Sequence, residues 1–216
     1  MSVDRFSVRT PKGDVSAAWH QADGAILIVG HGAGSGMDHP FIVGFCEALA
    51  AEGIAAVRFN FPYMEAGRRT PDQAVNAIAA FRAVFDVAAE RGGGRQVLGG
   101  GKSYGGRIAS MAAADGMPAA ALVFLGYPLH PPGKPERIRD EHLYGLSIPM
   151  LFLHGTKDPF ADPALLADVV HRLGDRATLV DVDGAGHSFE RSRKDDAATV
   201  GASLAPTVAG FVRDRV

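Results

Sequence analysis

Three side chains that can cooperate in nucleophilic catalysis, Ser103, Asp158 and His187, each follow shortly after an apolar stretch of the sequence. A serine hydroxyl is a weak nucleophile until a neighbouring base takes its proton, and histidine is the usual base. An aspartate can hold the imidazole in the required tautomer and stabilise its protonated form. These residue types predict acyl transfer by a hydrolase, provided that the fold brings them together.

The serine lies in the segment GKSYG at 101–105, which matches the pattern G-x-S-x-G. A strand is predicted to end just before Ser103 and a helix to begin just after it, so the serine would occupy a sharp turn with positive φ. Gly101 and Gly105 leave room where side chains would clash, and Gly106 lets the helix pack closely. The alternative interpretation is a tight turn whose serine only caps the helix. An acid and a base elsewhere in the chain favour the nucleophile.

The acid and the base follow the last two predicted strands. Asp158 lies in HGTKDP at 154–159, and His187 lies in DGAGHSF at 183–189. Alternative acids that rank below Asp158 are Asp162, Asp181 and Asp183. The other histidines considered are predicted to be solvated or structural: His20, His39, His130, His142, His154 and His171.

A hydrolase of this kind also needs amide donors for the oxyanion of its tetrahedral intermediate. The N–H of Tyr104, directly after the serine, is the first candidate. The second should come from the glycine-rich loop HGAGSGMDH at 31–39, with Ala33 as first choice and Gly32 next. This loop has an alternative interpretation as a phosphate cradle. The pattern G-x-x-x-x-G-K-[ST] is absent, however, because Gln96 stands where its first glycine would be.

The elements that must position these residues alternate along the chain. Eight apolar stretches are predicted as strands: Phe6–Arg9, Val15–Trp19, Ala25–Val29, Ala55–Phe59, Gln96–Gly99, Ala120–Leu125, Met150–Leu153 and Thr178–Val182. The first two should form a hairpin, and the later ones suit strands buried on both faces of a parallel sheet. Five helices are predicted between them: Phe41–Glu52, Pro71–Glu90, Ser103–Asp115, Pro163–Leu173 and Ala197–Arg213, the last bent or split at Pro206.

This alternation predicts a single α/β domain over residues 1–216, with a mostly parallel sheet of about seven or eight strands and helices on both faces. Right-handed crossovers would place the carboxyl ends of the parallel strands at one edge of the sheet. Ser103, Asp158 and His187 would then meet at that edge.

Composition excludes several other classes. The net charge of −2 and the lack of a basic block argue against a nucleic-acid partner. The longest apolar runs have strand length, far short of the ~20 residues of a membrane span. A single cysteine, Cys46, allows no disulfide within the chain, and the N-terminal segment shows no apolar signal region. We therefore expect a cytoplasmic protein that acts on a small molecule, and the oligomeric state stays open.

The motifs resemble those of the α/β-hydrolase superfamily, in which serine, acid and histidine follow one another in this order. The segments that carry the resemblance are HGAG at 31–34, GKSYG at 101–105, GTKDP at 155–159 and GAGHSF at 184–189. More narrowly, FPYMEAGRRTPD at 61–72 and GGKSYGGR at 100–107 are similar to a small hydrolase family. That family includes a testis-expressed protein and the hydrolase-like domain of a chromatin-complex subunit.

The chain also resembles dienelactone hydrolases distantly, although Ser103 holds the place of their cysteine nucleophile. The resemblance implies an α/β-hydrolase fold and a carboxylesterase-like serine hydrolase. Many members of the superfamily insert a large cap where this chain has only Tyr127–Ser147, with a helix expected around Glu136–Leu143. The site should therefore be open or lightly covered, and we expect the reaction to use neither a metal nor a cofactor.

Six further residues are candidates for contact with the substrate. Arg68 and Arg69 follow a predicted strand at the expected active-site edge, where an arginine pair suits a carboxylate or phosphate. The alternative is a solvated pair beside Glu65 or Asp72. Tyr63 and Tyr127, together with Met64 and Phe160, are candidates for lining an acyl or alcohol pocket, or else belong to the core.

The residues leave more than one function open. The leading hypothesis is an esterase that works through an acyl-enzyme on Ser103. A second is a binding or scaffold protein that keeps the hydrolase fold with weak or no activity. A third is a thioesterase, peptidase or C–C hydrolase, because these share the same catalytic residue types.

Overall fold

The computed structural model describes residues 3–216, and within them eight strands form one sheet. In chain order they are β1 (Val3–Thr10), β2 (Gly13–His20), β3 (Ile26–Gly30), β4 (Ala55–Phe59), β5 (Val97–Lys102), β6 (Leu122–Leu125), β7 (Met150–Gly155) and β8 (Ala177–Val182). Their order across the sheet is β1-β2-β4-β3-β5-β6-β7-β8. Strand β2 is antiparallel to both neighbours, and all other pairs are parallel.

Helices cover both faces of the sheet, which confirms the predicted fold class. They are α1 (Pro40–Ala51), α2 (Pro62–Glu65), α3 (Ala74–Gly92), α4 (Tyr104–Ala114), α5 (Pro163–Leu173), α6 (Ala197–Ala202) and α7 (Ala205–Arg215), with 3-10 turns at Glu141–Gly145 and Gly174–Arg176. Side chains of β3 alternate between two cores: Ile26 and Ile28 pack towards α3 and α4, whereas Leu27 and Val29 pack towards α1 and α7. Burial on both faces explains why the central strands are apolar throughout.

Some element boundaries differ from the sequence prediction. Helix α3 begins at Ala74 instead of Pro71, and its N-cap residue, Gln73, makes no side-chain capping hydrogen bond. The Asp72 carboxylate just before it accepts the Arg68 guanidinium at 2.6 and 2.8 Å. The short helix α2 was not predicted. The last helix is split, since Pro206 lies in the first turn of α7 and cannot continue the hydrogen bonding of α6.

The prediction of a helix around Glu136–Leu143 was wrong. Only the 3-10 turn at Glu141–Gly145 forms, and the part of the 127–147 segment before it contains four prolines. The Tyr127 hydroxyl donates to the Arg139 carbonyl at 2.8 Å, and this contact folds the segment back on itself. The region where a cap would be inserted is therefore a short, mostly irregular loop.

The carboxyl ends of β3, β5, β7 and β8 meet at one edge of the sheet, as predicted. The connection from β5 to α4 passes unusually close to β3: a Cβ at Gly101 or at Gly105 would lie 2.1 Å from the Gly30 carbonyl oxygen. A Cβ at Gly100 would likewise lie 2.3 Å from the Val123 carbonyl oxygen. The glycines around Ser103 therefore allow three backbone segments to pack at the edge that carries the candidate residues.

No helix formed by residues 3–216 is long and apolar enough to cross a membrane.

Candidate active site

Ser103 occupies the turn between β5 and α4 in a conformation that is rare for a residue with a side chain. Its φ is 49° and its ψ is −112°, and its N–H donates to the Leu125 carbonyl at 3.0 Å. The side chain makes no capping hydrogen bond with α4. The alternative interpretation of this serine as a helix cap is therefore not observed. Strained backbone of this kind is frequent where a side chain must be presented for function.

The imidazole of His187 lies between the serine and the aspartate. Its Nε2 is 2.8 Å from Ser103 Oγ, and its Nδ1 is 2.7 Å from Asp158 Oδ2. An ionised carboxylate accepts a hydrogen bond from Nδ1–H, which leaves Nε2 as the acceptor for the serine hydroxyl. The Phe160 ring packs on the imidazole with centroids 4.3 Å apart. His187 is thus held by contacts on both nitrogens and on its face.

The Asp158 side chain is fully buried, while that of His187 is 18% exposed. The second carboxylate oxygen of Asp158 accepts the Phe160 N–H at 2.8 Å. Burial by itself would raise the pKa of Asp158, but the hydrogen bond from His187 and the Phe160 amide outweigh it and hold that pKa below its ordinary value. The carboxylate is therefore ionised at neutral pH and can stabilise a protonated imidazole.

The alternative acids have other partners. Asp162 caps α5 and accepts the N–H groups of Ala164 and Leu165 at 3.0 and 3.1 Å. Asp183 accepts the Thr156 hydroxyl at 3.3 Å, and Asp181 lies on β8. Among residues 3–216, Asp158 is the one carboxylate that hydrogen-bonds His187.

The backbone amides of Ala33 and Tyr104, near Ser103, form no hydrogen bond within the described residues. The Gly32 carbonyl accepts the His31 Nδ1–H at 2.7 Å and the Ser35 hydroxyl at 3.0 Å. Because carbonyl and amide of a trans peptide point in opposite directions, the Ala33 N–H faces away from the His31 ring. Gly32, Ala33 and Ser103 line the same cavity. This geometry suits Ala33, the first choice from the sequence, better than Gly32 as the second oxyanion donor.

Two buried side chains fix the loop that carries these amides. His31 Nε2 accepts the Phe61 N–H at 3.2 Å, and the Tyr63 hydroxyl accepts the Gly34 N–H at 3.2 Å. Burial lowers the pKa of His31 to about 4, so this imidazole is neutral at physiological pH. Tyr63 therefore supports the loop from within the core and does not line the cavity beside Ser103.

A cavity of about 470 Å³ lies beside Ser103 and His187. Its apolar lining comes from Phe41, Ile42, Phe160 and Val200, and its polar lining includes Lys102, Glu190 and His39. A larger cavity of about 690 Å³ lies along β8, but neither Ser103 nor His187 lines it. We place the site in the smaller cavity because it contains the hydrogen-bonded serine.

Lys102 lines the cavity, although it was not predicted from the sequence. The sequence does contain an indication of this role, because Lys102 is a charged residue at the end of an apolar strand, directly before Ser103.

Of the residues predicted to contact the substrate, Phe160 lines this cavity and the others do not. Arg68 is paired with Asp72, which is the alternative considered from the sequence, and neither Arg68 nor Arg69 lines the cavity. Tyr127 is buried in the core. Substrate binding by these residues stays a prediction without support from the cavity. The lining also includes no residue from 127–147, so this segment does not cover the cavity in the structure.

A second serine–histidine contact joins Ser110 Oγ and His142 Nε2 at 2.8 Å. Ser110 is fully buried in α4, and its hydroxyl donates to the Arg107 carbonyl at 2.8 Å. The His142 ring must then donate to Ser110, so it cannot act as a base for that hydroxyl. No carboxylate of the described chain hydrogen-bonds His142. This pair suits a structural role.

No group of three or more histidine, cysteine, aspartate or glutamate side chains in residues 3–216 is arranged to hold a metal ion.

Comparison with solved structures shows the same fold in three bacterial proteins. A serine hydrolase homologue from Coxiella burnetii has a TM-score of 0.76 and 20% identity, over 96% of this chain and 98% of that chain. A serine hydrolase without a lid from Xanthomonas campestris has a TM-score of 0.75 and 20% identity, over 100% and 96%. A dienelactone hydrolase from Anabaena variabilis has a TM-score of 0.77 and 19% identity, over 100% and 98%.

At these identities the likeness establishes the fold alone. The narrower resemblance, to a testis-expressed protein and a chromatin-complex subunit, stays a prediction. A family model described as the alpha/beta hydrolase domain matches residues 23–212, which is most of the chain. The superfamily resemblance seen in the motifs is thereby confirmed: the chain belongs to the α/β-hydrolase family.

Proposed function

We propose that the protein is a serine hydrolase that cleaves carboxylic esters through an acyl-enzyme on Ser103. The observation that carries the proposal is the continuous hydrogen-bonded chain Ser103–His187–Asp158, with distances of 2.8 and 2.7 Å. A serine is activated when a base accepts its proton and a third group orients the base. The nucleophile, the base and the orienting carboxylate all lie at the sheet edge where folds of this class build their sites.

In the first half-reaction, Ser103 Oγ attacks the ester carbonyl carbon while its proton passes to His187 Nε2. The negative charge that develops on the carbonyl oxygen is stabilised by the N–H groups of Ala33 and Tyr104. His187 then gives its proton to the leaving alkoxide. The ester C–O bond breaks, the alcohol departs, and the acyl group remains on Ser103.

In the second half-reaction, water replaces the alcohol. His187 accepts a proton from the water as its oxygen attacks the acyl carbon, and the same two amides hold the second oxyanion. The bond to Ser103 Oγ breaks, His187 returns the proton to Oγ, and the carboxylic acid leaves. Asp158 stays ionised throughout and stabilises the imidazolium in both halves.

Substrate access supports an ester of modest size. The cavity of about 470 Å³ is apolar on the side of Phe41, Ile42 and Val200, and it opens without cover from residues 127–147. Pockets of this volume suit small organic molecules. A short acyl or alkyl group on that apolar wall would leave the carbonyl beside Ser103.

The test compares the hydrolysis of short p-nitrophenyl esters by the wild type and two serine variants. Ser103→Ala removes the nucleophile, and kcat/KM should fall at least about a thousandfold with the fold intact. Ser110→Ala is the matched control, because it removes the other histidine-bonded hydroxyl. It should keep activity, at some cost in stability. Undiminished turnover in folded Ser103→Ala would refute the proposal, as would a wild type that hydrolyses no ester in a panel of esters, thioesters and amides.

A further inference from the structure

Lys102 is a buried cation next to the proposed nucleophile. It is the last residue of β5, directly precedes Ser103, and is only 8% exposed. Its side chain lines the same cavity as Ser103 and His187, and its stem lies beside Gly32 in the oxyanion loop. None of the proposed catalytic steps uses this ammonium group.

The ammonium has no partner of its own within residues 3–216. It forms neither an ion pair nor a hydrogen bond there. Burial lowers the pKa of Lys102 to about 8, and the carboxylates of Asp158 and Glu190 counteract only part of that effect. The group is therefore largely charged at pH 7. A buried charge without a partner is costly, so the cavity favours an anion that would pair with it.

The carboxylates around the cavity do not fill that role. Both oxygens of Asp158 are already used, by His187 and by the Phe160 amide. Asp195 accepts the N–H groups of Arg191 and Ser192 within its own loop.

Glu190 is exposed, and one of its carboxylate oxygens lies 2.9 Å from where a Cβ on Gly186 would be. Glu190 lines the cavity but forms no ion pair with Lys102. Its carboxylate would compete with an incoming anion for the ammonium group. The remaining titratable group on the lining, besides His187, is His39 at the start of α1, whose Nδ1 accepts the Phe41 N–H.

We propose that Lys102 binds a free carboxylate on the ester substrate, so that the preferred substrates are half-esters of short dicarboxylic acids. This inference rests on the proposed function. Because Lys102 and Ser103 line the same cavity of about 470 Å³, a short carbon chain would connect the carboxylate at Lys102 with the scissile carbonyl at Ser103. A largely buried ammonium gives a charge-assisted hydrogen bond that a neutral group of equal size does not replace. The apolar wall would then receive the alkyl group of the alcohol.

The kinetic test uses two substrates of equal length, monoethyl glutarate and ethyl pentanoate, in which a methyl group replaces the carboxylate. The quantity compared is the ratio of their kcat/KM values. The wild type should favour the half-ester, and Lys102→Met should reduce that ratio at least tenfold. Glu190→Gln removes the competing carboxylate and should raise the ratio severalfold. If Lys102→Met lowers both rates equally, or if the wild type prefers ethyl pentanoate, the inference is overturned.

A binding measurement separates this inference from the proposed function. Glutarate is the product of the half-ester reaction, and its binding to the resting protein, followed by calorimetry, needs no turnover. The wild type should bind glutarate at least tenfold more tightly than pentanamide, which has the same chain length and carries no carboxylate, and Lys102→Met should lose that difference. Equal binding of the two compounds by a protein whose Ser103 still reacts with a fluorophosphonate would overturn the role of Lys102 alone. Glutarate selectivity without fluorophosphonate reaction would instead contradict the proposed hydrolase.

Discussion

The hydroxyl oxygen of Ser103 lies 2.8 Å from Nε2 of His187, although 84 positions separate the two residues in the chain. Ser103 is held by a strained turn after β5, and His187 by the loop after β8. The contact therefore depends on the parallel sheet that places both strand ends at one edge. It also depends on Asp158, which fixes the imidazole from the other side.

Asp158→Asn should disable the site without unfolding the protein. An amide at this position can donate to Nδ1, and the imidazole would then carry its proton on Nε2, where it cannot accept the proton of Ser103. We expect kcat on a short p-nitrophenyl ester to fall on the order of a thousandfold or more. Asp162→Asn is the matched control, because asparagine caps a helix about as well as aspartate. Similar losses in both variants would contradict the role assigned to Asp158.

Gly105→Ala should destabilise the fold itself. Its Cβ would lie 2.1 Å from the Gly30 carbonyl oxygen, so β3 and α4 would have to move apart. We expect the free energy of unfolding, measured in urea, to fall by about 2–3 kcal/mol, together with a loss of esterase activity. Gly145→Ala introduces a methyl group into open space and should stay within about 0.5 kcal/mol of the wild type. Equal stabilities of the two variants would show that the close approach is not maintained in solution.

Tyr63→Phe should slow the reaction while leaving the core packed. It removes the hydroxyl that accepts the Gly34 N–H and so loosens the loop that presents the Ala33 amide. We expect a fall of about tenfold in kcat, which is less than for loss of an oxyanion donor itself. Tyr127→Phe removes a hydroxyl bonded to the Arg139 carbonyl, away from the cavity, and serves as control. A larger loss of kcat in Tyr127→Phe would reverse this assignment.

Stability should decrease as the pH falls from about 6.5 to about 4. Burial lowers the pKa values of His20 and His31 to about 4, so the unfolded chain binds protons in this window that the folded protein does not. The free energy of unfolding should then drop by up to about 1.4 kcal/mol per pH unit for each imidazole. His142 and His154, whose pKa values burial also lowers, act in the same direction. Aspartates with lowered pKa values, such as Asp158, act only below this range.

Urea unfolding of the wild type, His20→Gln and His31→Gln at pH 7, 6 and 5 checks this dependence. Each variant should show a shallower decline than the wild type, whatever its stability at pH 7. The same slope in all three proteins would mean that the two imidazoles titrate alike in the folded and unfolded states.

The sheet and the three proposed catalytic residues were predictable because each has a strong local signal. Buried parallel strands are apolar throughout, and all eight predicted strands exist with shifted ends. The glycines around Ser103 and the positions of Asp158 and His187 after strands then indicate a common edge. The hydrogen-bond distances among these three residues depend on how the whole backbone folds. Local sequence composition does not reveal them.

The features that were missed are ones that hydrophobic periodicity does not encode. Helix α3 starts only at Ala74, after an N-cap residue, Gln73, that makes no side-chain capping hydrogen bond. The 127–147 segment is mostly irregular, and within it the Tyr127 hydroxyl donates to the Arg139 carbonyl. Lys102 occupies a position that the pattern G-x-S-x-G leaves open, and residues of α1 and α6 complete the cavity that it lines.

Reaction with a fluorophosphonate tests the central claim most directly, because only an activated serine reacts readily with this electrophile. The folded wild type should gain the mass of one adduct, and peptide mapping should place that adduct on Ser103. His187→Ala, which keeps the serine and removes its base, should stay unlabelled under the same conditions. A folded wild type that gains no adduct, or one that carries it on another residue such as Ser110, would contradict the account.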